Sequence, residues 1–243
     1  MTYGLISDIH SNMEALTAVL AEIGSADAFL CMGDLVGYGP DPAACIERVR
    51  FLPNLTCIAG NHDLAAIGRY SLDWFNPYAR AAIEWTGDQL TPDARAYLES
   101  LELTAEVAGA FLVHGAYPNH MDYITTASEA MATFESLPAS LCFVGHTHVT
   151  EYYRNRTGTR FCDQTSLWSG GVIPLDPDVR CIVNPGSVGQ PRDDNSSASC
   201  GVYDTELRQI ELRRVAYDIA AVQKKMRKVG LSDYLIDRLP RGR

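Results

Sequence analysis

Three short apolar segments near the N-terminus each end in a polar turn that contains glycine or aspartate. They span residues 3–6, 28–32 and 55–59, and their length and composition predict buried strands. Between them, the apolar spacing over 12–23 and the prolines that open 42–50 predict two helices. This β-α-β-α-β order predicts parallel strands with right-handed crossovers. In such sheets, ligands bind at the carboxyl ends of the strands.

The middle of the chain continues with helices and short strands. Residues 77–101 are predicted to be helical with a break near 87–92, where Thr91 and Pro92 have the pattern of a helix start. Two short strands are expected over 104–113, followed by a helix over 127–136.

Beyond residue 148 the pattern changes to short strands with turns. We predict strands over 151–156, 160–162, 180–183, 199–203 and 207–215, forming a second, more antiparallel sheet. Residues 164–178 are predicted to be an exposed loop, and residues 217–239 a basic amphipathic helical tail. No repeat or linker interrupts the chain, so we expect one domain over residues 1–243.

The composition limits the classes of partner. Hydrophobic residues make up 47% of the chain, and the net charge is −10. This acidity argues against strong affinity for nucleic acid or anionic membranes, although bound cations would still allow a phosphate substrate. We expect neither a signal peptide nor a membrane-spanning segment, and the seven cysteines lie mostly in apolar segments. We therefore expect a cytoplasmic protein with reduced cysteines.

Potential metal ligands collect at the ends of the predicted strands. Five of the six histidines lie there, and only His120 does not. Any one of these side chains alone could be an ordinary polar turn or helix cap, but the set predicts a metal site. Its members are Asp8, His10, Asp34, Asn61, His62, His114, His146 and His148.

Carboxylate, imidazole and amide ligands suit manganese, iron, zinc, cobalt or nickel. These groups are too many for one tetrahedral site. They fit two divalent transition-metal ions bridged by one carboxylate, at the ~3.5–4 Å separation of two-metal hydrolases. Asp34 is the natural bridging residue.

These residues form five motif blocks whose order resembles the calcineurin-like metallophosphoesterase superfamily. The blocks are Asp8-Ile9-His10, Gly33-Asp34, Gly60-Asn61-His62-Asp63, His114 and Gly145-His146-Thr147-His148. The segment 184–189 and the tail after Tyr217-Asp218 also resemble the small bacterial and archaeal phosphodiesterase branch. The resemblance implies an α/β fold, a four-layer α/β/β/α sandwich of two mixed sheets.

The resemblance also implies a role for each motif residue. One metal would be held by Asp8, His10, Asp34 and His148. The second would be held by Asp34, Asn61, His114 and His146. His62 would act beside the substrate as an acid or phosphate contact, and Asp63 would orient it.

The chain departs from the family pattern after Gly33-Asp34. Many members have an arginine or aspartate a few residues later, whereas here the run over 35–40 is Leu-Val-Gly-Tyr-Gly-Pro. Arg192 could replace the missing phosphate contact, or it could be an ordinary surface arginine.

These features predict an enzyme that hydrolyses a small phosphoester substrate, with a phosphodiester favoured over a monoester. The alternatives are a phosphatase for nucleotides or phosphoproteins, and a catalytically silent metal-binding scaffold for a protein partner. A DNA-repair nuclease is a further alternative, against which the acidic composition argues.

Overall fold

The computed structural model describes residues 1–243, with twelve strands and eight α-helices. The strands are β1 (Thr2–Ile6), β2 (Ala28–Cys31), β3 (Leu55–Cys57), β4 (Thr104–Val107), β5 (Ala110–Val113), β6 (Leu141–Phe143), β7 (Thr150–Arg156), β8 (Asp163–Ser166), β9 (Gly171–Pro174), β10 (Val179–Pro185), β11 (Ala198–Asp204) and β12 (Gln209–Val215). The helices are α1 (Met13–Ile23), α2 (Pro42–Arg50), α3 (Asn61–Ala66), α4 (Pro77–Gln89), α5 (Pro92–Glu99), α6 (Ala127–Ser136), α7 (Ile219–Lys228) and α8 (Asp233–Arg238).

The strands form two mixed sheets of six strands each. The first has the order β3-β2-β1-β11-β12-β9, parallel from β3 to β1 and antiparallel beyond. The second has the order β4-β5-β6-β10-β7-β8, in which β5, β6 and β10 are parallel. The parallel strands of the first sheet are those that the β-α-β-α-β pattern predicted.

The two sheets pack face to face, and helices cover their outer faces. Alternate residues of a strand point to opposite faces, so Leu5 of β1 joins the apolar cluster between the sheets while Ile6 joins the cluster under the helices. Helices α1 to α5 supply the outer layer on the first sheet, and α6 packs on the second. The predicted α/β/β/α sandwich is confirmed.

Most predicted helices are confirmed, including the break within 77–101. Helix α4 ends at Gln89 and α5 begins at Pro92. The Thr91 hydroxyl accepts a hydrogen bond from the Ala94 backbone N–H at 3.1 Å, as expected of an N-cap residue.

Two predictions for the C-terminal half are wrong. The later strands do not form a separate antiparallel sheet, because β9, β11 and β12 join the first sheet and β7, β8 and β10 join the second. The segment predicted as an exposed loop contains most of β8 and all of β9, while residues 160–162 are not a strand. In β9 only Ile173 is fully buried. With so few apolar residues next to Gly170 and Gly171, this edge strand has no pattern from which a strand could be predicted.

The basic tail is helical as predicted, but it is divided into α7 and α8. Val222 and Met226 of α7 and Leu235 and Ile236 of α8 pack in one apolar cluster, which also includes Tyr38 and residues of α4. The Lys225 ammonium lies 2.7 Å from both the Glu14 and Asp41 carboxylates. These contacts attach the tail to the edge of the first sheet's helical layer.

All seven cysteines are free thiols, and five of them are buried. None of the helices combines the length and the apolar character needed to cross a lipid bilayer.

The cluster between the sheets should dominate stability. Leu112 is fully buried there, so Leu112→Ala should lower the free energy of unfolding by about 2–5 kcal/mol. Leu207→Ala is a matched control, since Leu207 is 67% exposed, and it should change stability by less than about 0.5 kcal/mol. Chemical denaturation measures both, and equal losses would contradict this placement of the core.

Candidate metal centre and active-site pocket

The residues predicted from the strand ends lie together where the two sheets meet. The loops after β1, β2 and β3 approach His114, which follows β5, and the loop after β6. All nine predicted side chains are buried, with exposed fractions of 7% or less. They are Asp8, His10, Asp34, Asn61, His62, Asp63, His114, His146 and His148.

Five of these residues adopt a left-handed backbone conformation, which side chains other than glycine rarely do. Such a conformation costs roughly 1–2 kcal/mol per residue and is concentrated at functional sites. The residues, with their φ angles, are Asp8 (52°), His10 (49°), Asp34 (54°), His146 (68°) and His148 (61°). The fold thus maintains local strain to aim these side chains inward.

Two groups of side chains could each hold a cation. In the first group, formed by Asp8, His10, Asp34 and His148, one ligand atom per residue lies within 4.8 Å of the others. The Nε2 atoms of His10 and His148 are 3.0 Å apart. The Nε2 atom of His148 lies 3.3 Å from an Asp8 carboxylate oxygen.

The second group contains Asp34 again, together with His114 and His146. The Nε2 atom of His114 lies 3.4 Å from Oδ2 of Asp34 and 3.2 Å from Oδ1 of Asn61. Asn61 therefore lies beside this group, and Asp34 is common to both.

Hydrogen bonds to backbone carbonyls fix the histidine rings. Nδ1 of His10, His114 and His148 lies 2.9, 2.7 and 2.6 Å from the carbonyl oxygens of Val36, Met32 and Gln190. If Nδ1 carries the proton, the Nε2 lone pair of each ring faces the centre. His146 has the opposite arrangement, because its Nε2 lies 3.0 Å from the Met121 carbonyl oxygen. Such carbonyl partners are typical of metal-binding histidines.

The donor set fits cations. Oδ1 of Asp34 accepts the His62 backbone N–H at 2.8 Å, but the buried Oδ2 has no hydrogen-bond partner. A buried anionic oxygen without a partner is costly. A cation between Oδ2 and the neighbouring Nε2 atoms would give this oxygen a partner. It would also accept the lone pairs of the His10 and His148 Nε2 atoms, which otherwise face each other.

The protonation states favour metal binding at three of the histidines. Burial lowers the pKa of His10 and His148 well below the usual range, and that of His146 to about 3. Burial acts in the same direction on His114, but the Asp34 carboxylate outweighs it and raises the His114 pKa to about 10. Without a cation, His114 and Asp34 therefore form an ion pair, and a cation would replace that proton.

His62 lies beside both groups and lines the pocket. Its ring packs against Tyr38 and His10, with centroid distances of 4.4 and 4.7 Å. Its Nδ1 is buried beside Gly37, which leaves Nε2 to reach a substrate. Burial lowers the His62 pKa to about 4.

Asp63 does not hydrogen-bond to the His62 ring. Its carboxylate oxygens accept the backbone N–H groups of Gly60 and Val36 at 3.0 and 3.1 Å. Asp63 thus fastens the loop after β3 to the loop after β2. The expectation that Asp63 orients His62 has support only through the backbone, because no side-chain hydrogen bond joins them.

A cavity of about 820 Å³ opens above these residues. The sequence did not identify most of its wall, which is rich in aromatic rings from distant segments. Among them are Tyr38, Phe75, Tyr123 and Tyr234, and Tyr123 stacks on His146 with a centroid distance of 4.0 Å. Only Tyr38 had a sequence signal, because it lies in the run that departs from the family pattern.

Arg192 lines this cavity and is not an ordinary surface arginine. Its Nη2 donates to the Tyr38 hydroxyl at 3.1 Å and to Oε1 of Gln190 at 3.0 Å. Its buried Nε has no partner. The guanidinium is therefore held by neutral groups and keeps its charge available to an anion in the cavity.

Comparison with known proteins agrees with this geometry. Residues 1–208 match the calcineurin-like phosphoesterase superfamily domain. The chain is 37% identical to an uncharacterized protein of Methanocaldococcus jannaschii over 98% of this chain and 97% of that protein. The structure of a metallophosphoesterase from Sphaerobacter thermophilus superposes with a TM-score of 0.90 at 40% identity, covering 100% of this chain and 99% of that chain.

A shorter match concerns the symmetrical bis(5′-nucleosyl)-tetraphosphatase of Yersinia pestis. The two are 36% identical over 75 residues, which is 29% of this chain and 26% of that enzyme.

The chain belongs to the calcineurin-like phosphoesterase superfamily. It is a hydrolase that acts on phosphoester bonds, with side chains that could hold metal ions.

Gly37 should be required for the position of His62. A Cβ at Gly37 would lie 2.4 Å from Nδ1 of His62, and Gly37 has a φ of 93°. Gly109 has a φ of 76° and open space around a Cβ, so Gly109→Ala reports backbone strain alone. Gly37→Ala should reduce phosphoester hydrolysis at least tenfold, whereas Gly109→Ala should destabilise the fold by roughly 1–2 kcal/mol with normal turnover. Equal turnover of the two variants would show that His62 tolerates displacement.

Proposed function

We propose that the protein hydrolyses phosphodiesters with two divalent metal ions. One observation carries this proposal: two groups of buried ligand side chains share Asp34 at the base of a cavity. We assign one ion to Asp8, His10, Asp34 and His148, and the other to Asp34, Asn61, His114 and His146. Imidazole, carboxylate and amide donors suit manganese, iron, zinc, cobalt or nickel.

Two cations in these positions would supply Lewis-acid activation of a water molecule and of the phosphoryl oxygens. The protein's own contribution is to fix them. Asp34 supplies negative charge to both positions, and the carbonyl partners of the histidine rings keep the lone pairs directed inward.

His62 is proposed to act on the substrate rather than on a metal. Its ring is neutral at pH 7 in the free site, because burial lowers its pKa to about 4. A bound phosphodiester anion or a developing alkoxide would favour the protonated ring, so His62 would donate a proton or a hydrogen bond from Nε2 to that oxygen. Gly37 and Tyr38 hold the ring in place for this task.

Arg192 is proposed as the second phosphate contact, in place of the residue that the run over 35–40 lacks. Guanidinium groups bind phosphate through paired charge-assisted hydrogen bonds. The Tyr38 hydroxyl orients the guanidinium.

A diester substrate is favoured by the size and lining of the cavity. A volume of about 820 Å³ accommodates substituents on both sides of a phosphate, and the aromatic walls favour organic groups over a bare monoester. The short match to a bis(5′-nucleosyl)-tetraphosphatase also supports a substituted phosphate as substrate. The alternative is a phosphomonoesterase, which a direct comparison of aryl phosphate monoesters and diesters distinguishes.

We treat residues 1–243 as one functional domain, since the cavity draws on residues from Asp34 to Arg238. The seven free cysteines favour a reducing compartment, and we propose a cytoplasmic location.

Asp34→Asn should be the most damaging ligand substitution, because it removes the negative charge shared by both cation positions. Elemental analysis of the wild type should find up to two transition-metal ions per chain, and thorough chelation should abolish hydrolysis. Asp34→Asn should lower both the metal content and the rate. Asp178→Asn, in an exposed turn, is the control and should change neither. Full activity in a metal-free sample would refute the two-metal mechanism.

Asn61 and His62 are neighbours, yet we assign them different tasks. Asn61→Ala should lower metal occupancy as well as rate. His62→Asn should retain the metal ions and reduce turnover by about 10²–10⁴-fold, as for a positioned general acid. The loss should be smaller for nitrophenolate leaving groups, which need little protonation, than for alkoxides. Loss of a metal ion in His62→Asn would contradict the assignment, and a uniform loss across leaving groups would indicate a phosphate-binding role instead.

A further inference from the structure

The wall of the cavity includes two residues from the C-terminal tail. Tyr234 and Arg238 of α8 line the same cavity as His62 and Arg192. Both lie after residue 208, where the match to the family domain ends. The family domain match therefore assigns no role to these two residues.

The tail is fixed firmly enough to present these side chains. Leu235, Ile236 and Leu239 pack with Tyr38 in one apolar cluster. The Tyr234 ring stacks on Tyr78 of α4 with a centroid distance of 4.4 Å and an interplanar angle of 16°. Residues on rigid, packed elements can determine specificity, because their positions vary little.

Arg238 and Arg192 are partly buried arginines without an acidic side-chain partner. Neither is paired with an aspartate or glutamate in the structure, although the chain has 30 acidic residues and a net charge of −10. Nε of Arg238 donates to a main-chain oxygen of Arg243, which leaves its two terminal amino groups free. Partly buried guanidinium groups without an acidic side chain beside them favour an anion supplied from outside.

The acidic residues of the cavity are engaged elsewhere or lie on another segment. Asp34 faces the histidines. The Glu129 carboxylate accepts backbone N–H groups of Thr125 and Thr126 at the start of α6. Asp122 belongs to the loop after β5 and forms no ion pair with either arginine. No acidic side chain of the cavity thus pairs with the two guanidinium groups.

The two guanidinium groups line the same cavity. Burial lowers the Arg238 pKa, and the like charge of Arg192 acts in the same direction. Two guanidinium groups on the wall of one cavity suit two linked anions better than one. Exposed aromatic surface at the same cavity, such as Trp74 with 78% exposure, would accept a nucleobase by stacking.

We propose that Arg238 is a specificity-determining residue that binds a second phosphate, adjacent to the scissile one, so that the enzyme prefers nucleotide esters with a polyphosphate chain. This inference rests on the proposed phosphodiesterase function and on Arg192 as the contact to the scissile phosphate. The reaction is the same hydrolysis: a water oxygen bonds to phosphorus, the phosphorus–oxygen bond to the leaving group breaks, and the leaving oxygen departs with the electron pair.

Two probes with one leaving group test the proposal. The first is the p-nitrophenyl ester of thymidine 5′-monophosphate. The second is the p-nitrophenyl ester of the terminal phosphate of thymidine 5′-diphosphate, which differs by one phosphate. Nitrophenolate release gives kcat/KM for each. The wild type should prefer the diphosphate ester. Arg238→Gln should lower that preference about tenfold, mainly through KM, since a charge-assisted hydrogen bond to phosphate is lost.

Arg227→Gln is the matched control, because it removes one positive charge from the exposed face of α7 and should leave the preference unchanged. Arg238→Lys keeps the positive charge and should retain part of the preference for the diphosphate ester. A wild type without preference for the diphosphate ester, or an equal loss on both esters in Arg238→Gln, overturns the role of Arg238 while the phosphodiesterase function stands. Failure of the metal-loaded wild type to hydrolyse either ester overturns the proposed function instead.

Discussion

The buried carboxylate of Asp34 is the constraint on which the rest of the site depends. It lies between two groups of histidines, and its Oδ2 has no hydrogen-bond partner. An anionic oxygen in this environment is stable only if positive charge faces it. The surrounding structure therefore has to deliver imidazole nitrogens to it from both sheets, and the left-handed backbone at His10, His146 and Asp34 itself is part of that cost.

The loop after β10 holds these strand ends in position. In the segment after β10, the Ser187 hydroxyl donates to the Asp8 carbonyl oxygen at 2.7 Å, and the Asn184 amide donates to the Gly145 carbonyl oxygen at 2.7 Å. The His146 backbone N–H in turn donates to the Asp8 carboxylate at 3.1 Å. Hydrogen bonds between side chains and backbone thus join segments from both sheets. Such preorganisation allows strained loops to persist.

The functional parts come from different stretches of the chain. The proposed metal ligands lie within residues 8–148 and belong to the part that matches the family domain. The two arginines proposed to contact the substrate, Arg192 and Arg238, come from later segments. Arg238 lies beyond the part of the chain that matches the family domain. This division suits an enzyme in which the metal chemistry is constant while the residues around the substrate differ among relatives.

The sequence by itself determined the parallel half of the first sheet, most helices and the set of buried residues proposed as metal ligands. It could do so because strand, turn and helix signals are local, and because strand ends in a parallel sheet must meet at one edge. It could not assign β9 or the later strands to their sheets, since pairing depends on partners far along the chain. Nor could it distinguish Arg192 from a surface arginine, show that Asp63 hydrogen-bonds to backbone rather than to the His62 ring, or bring Arg238 to the cavity. Only tertiary packing decided these points, because burial and charge neutralisation depend on which distant segments become neighbours.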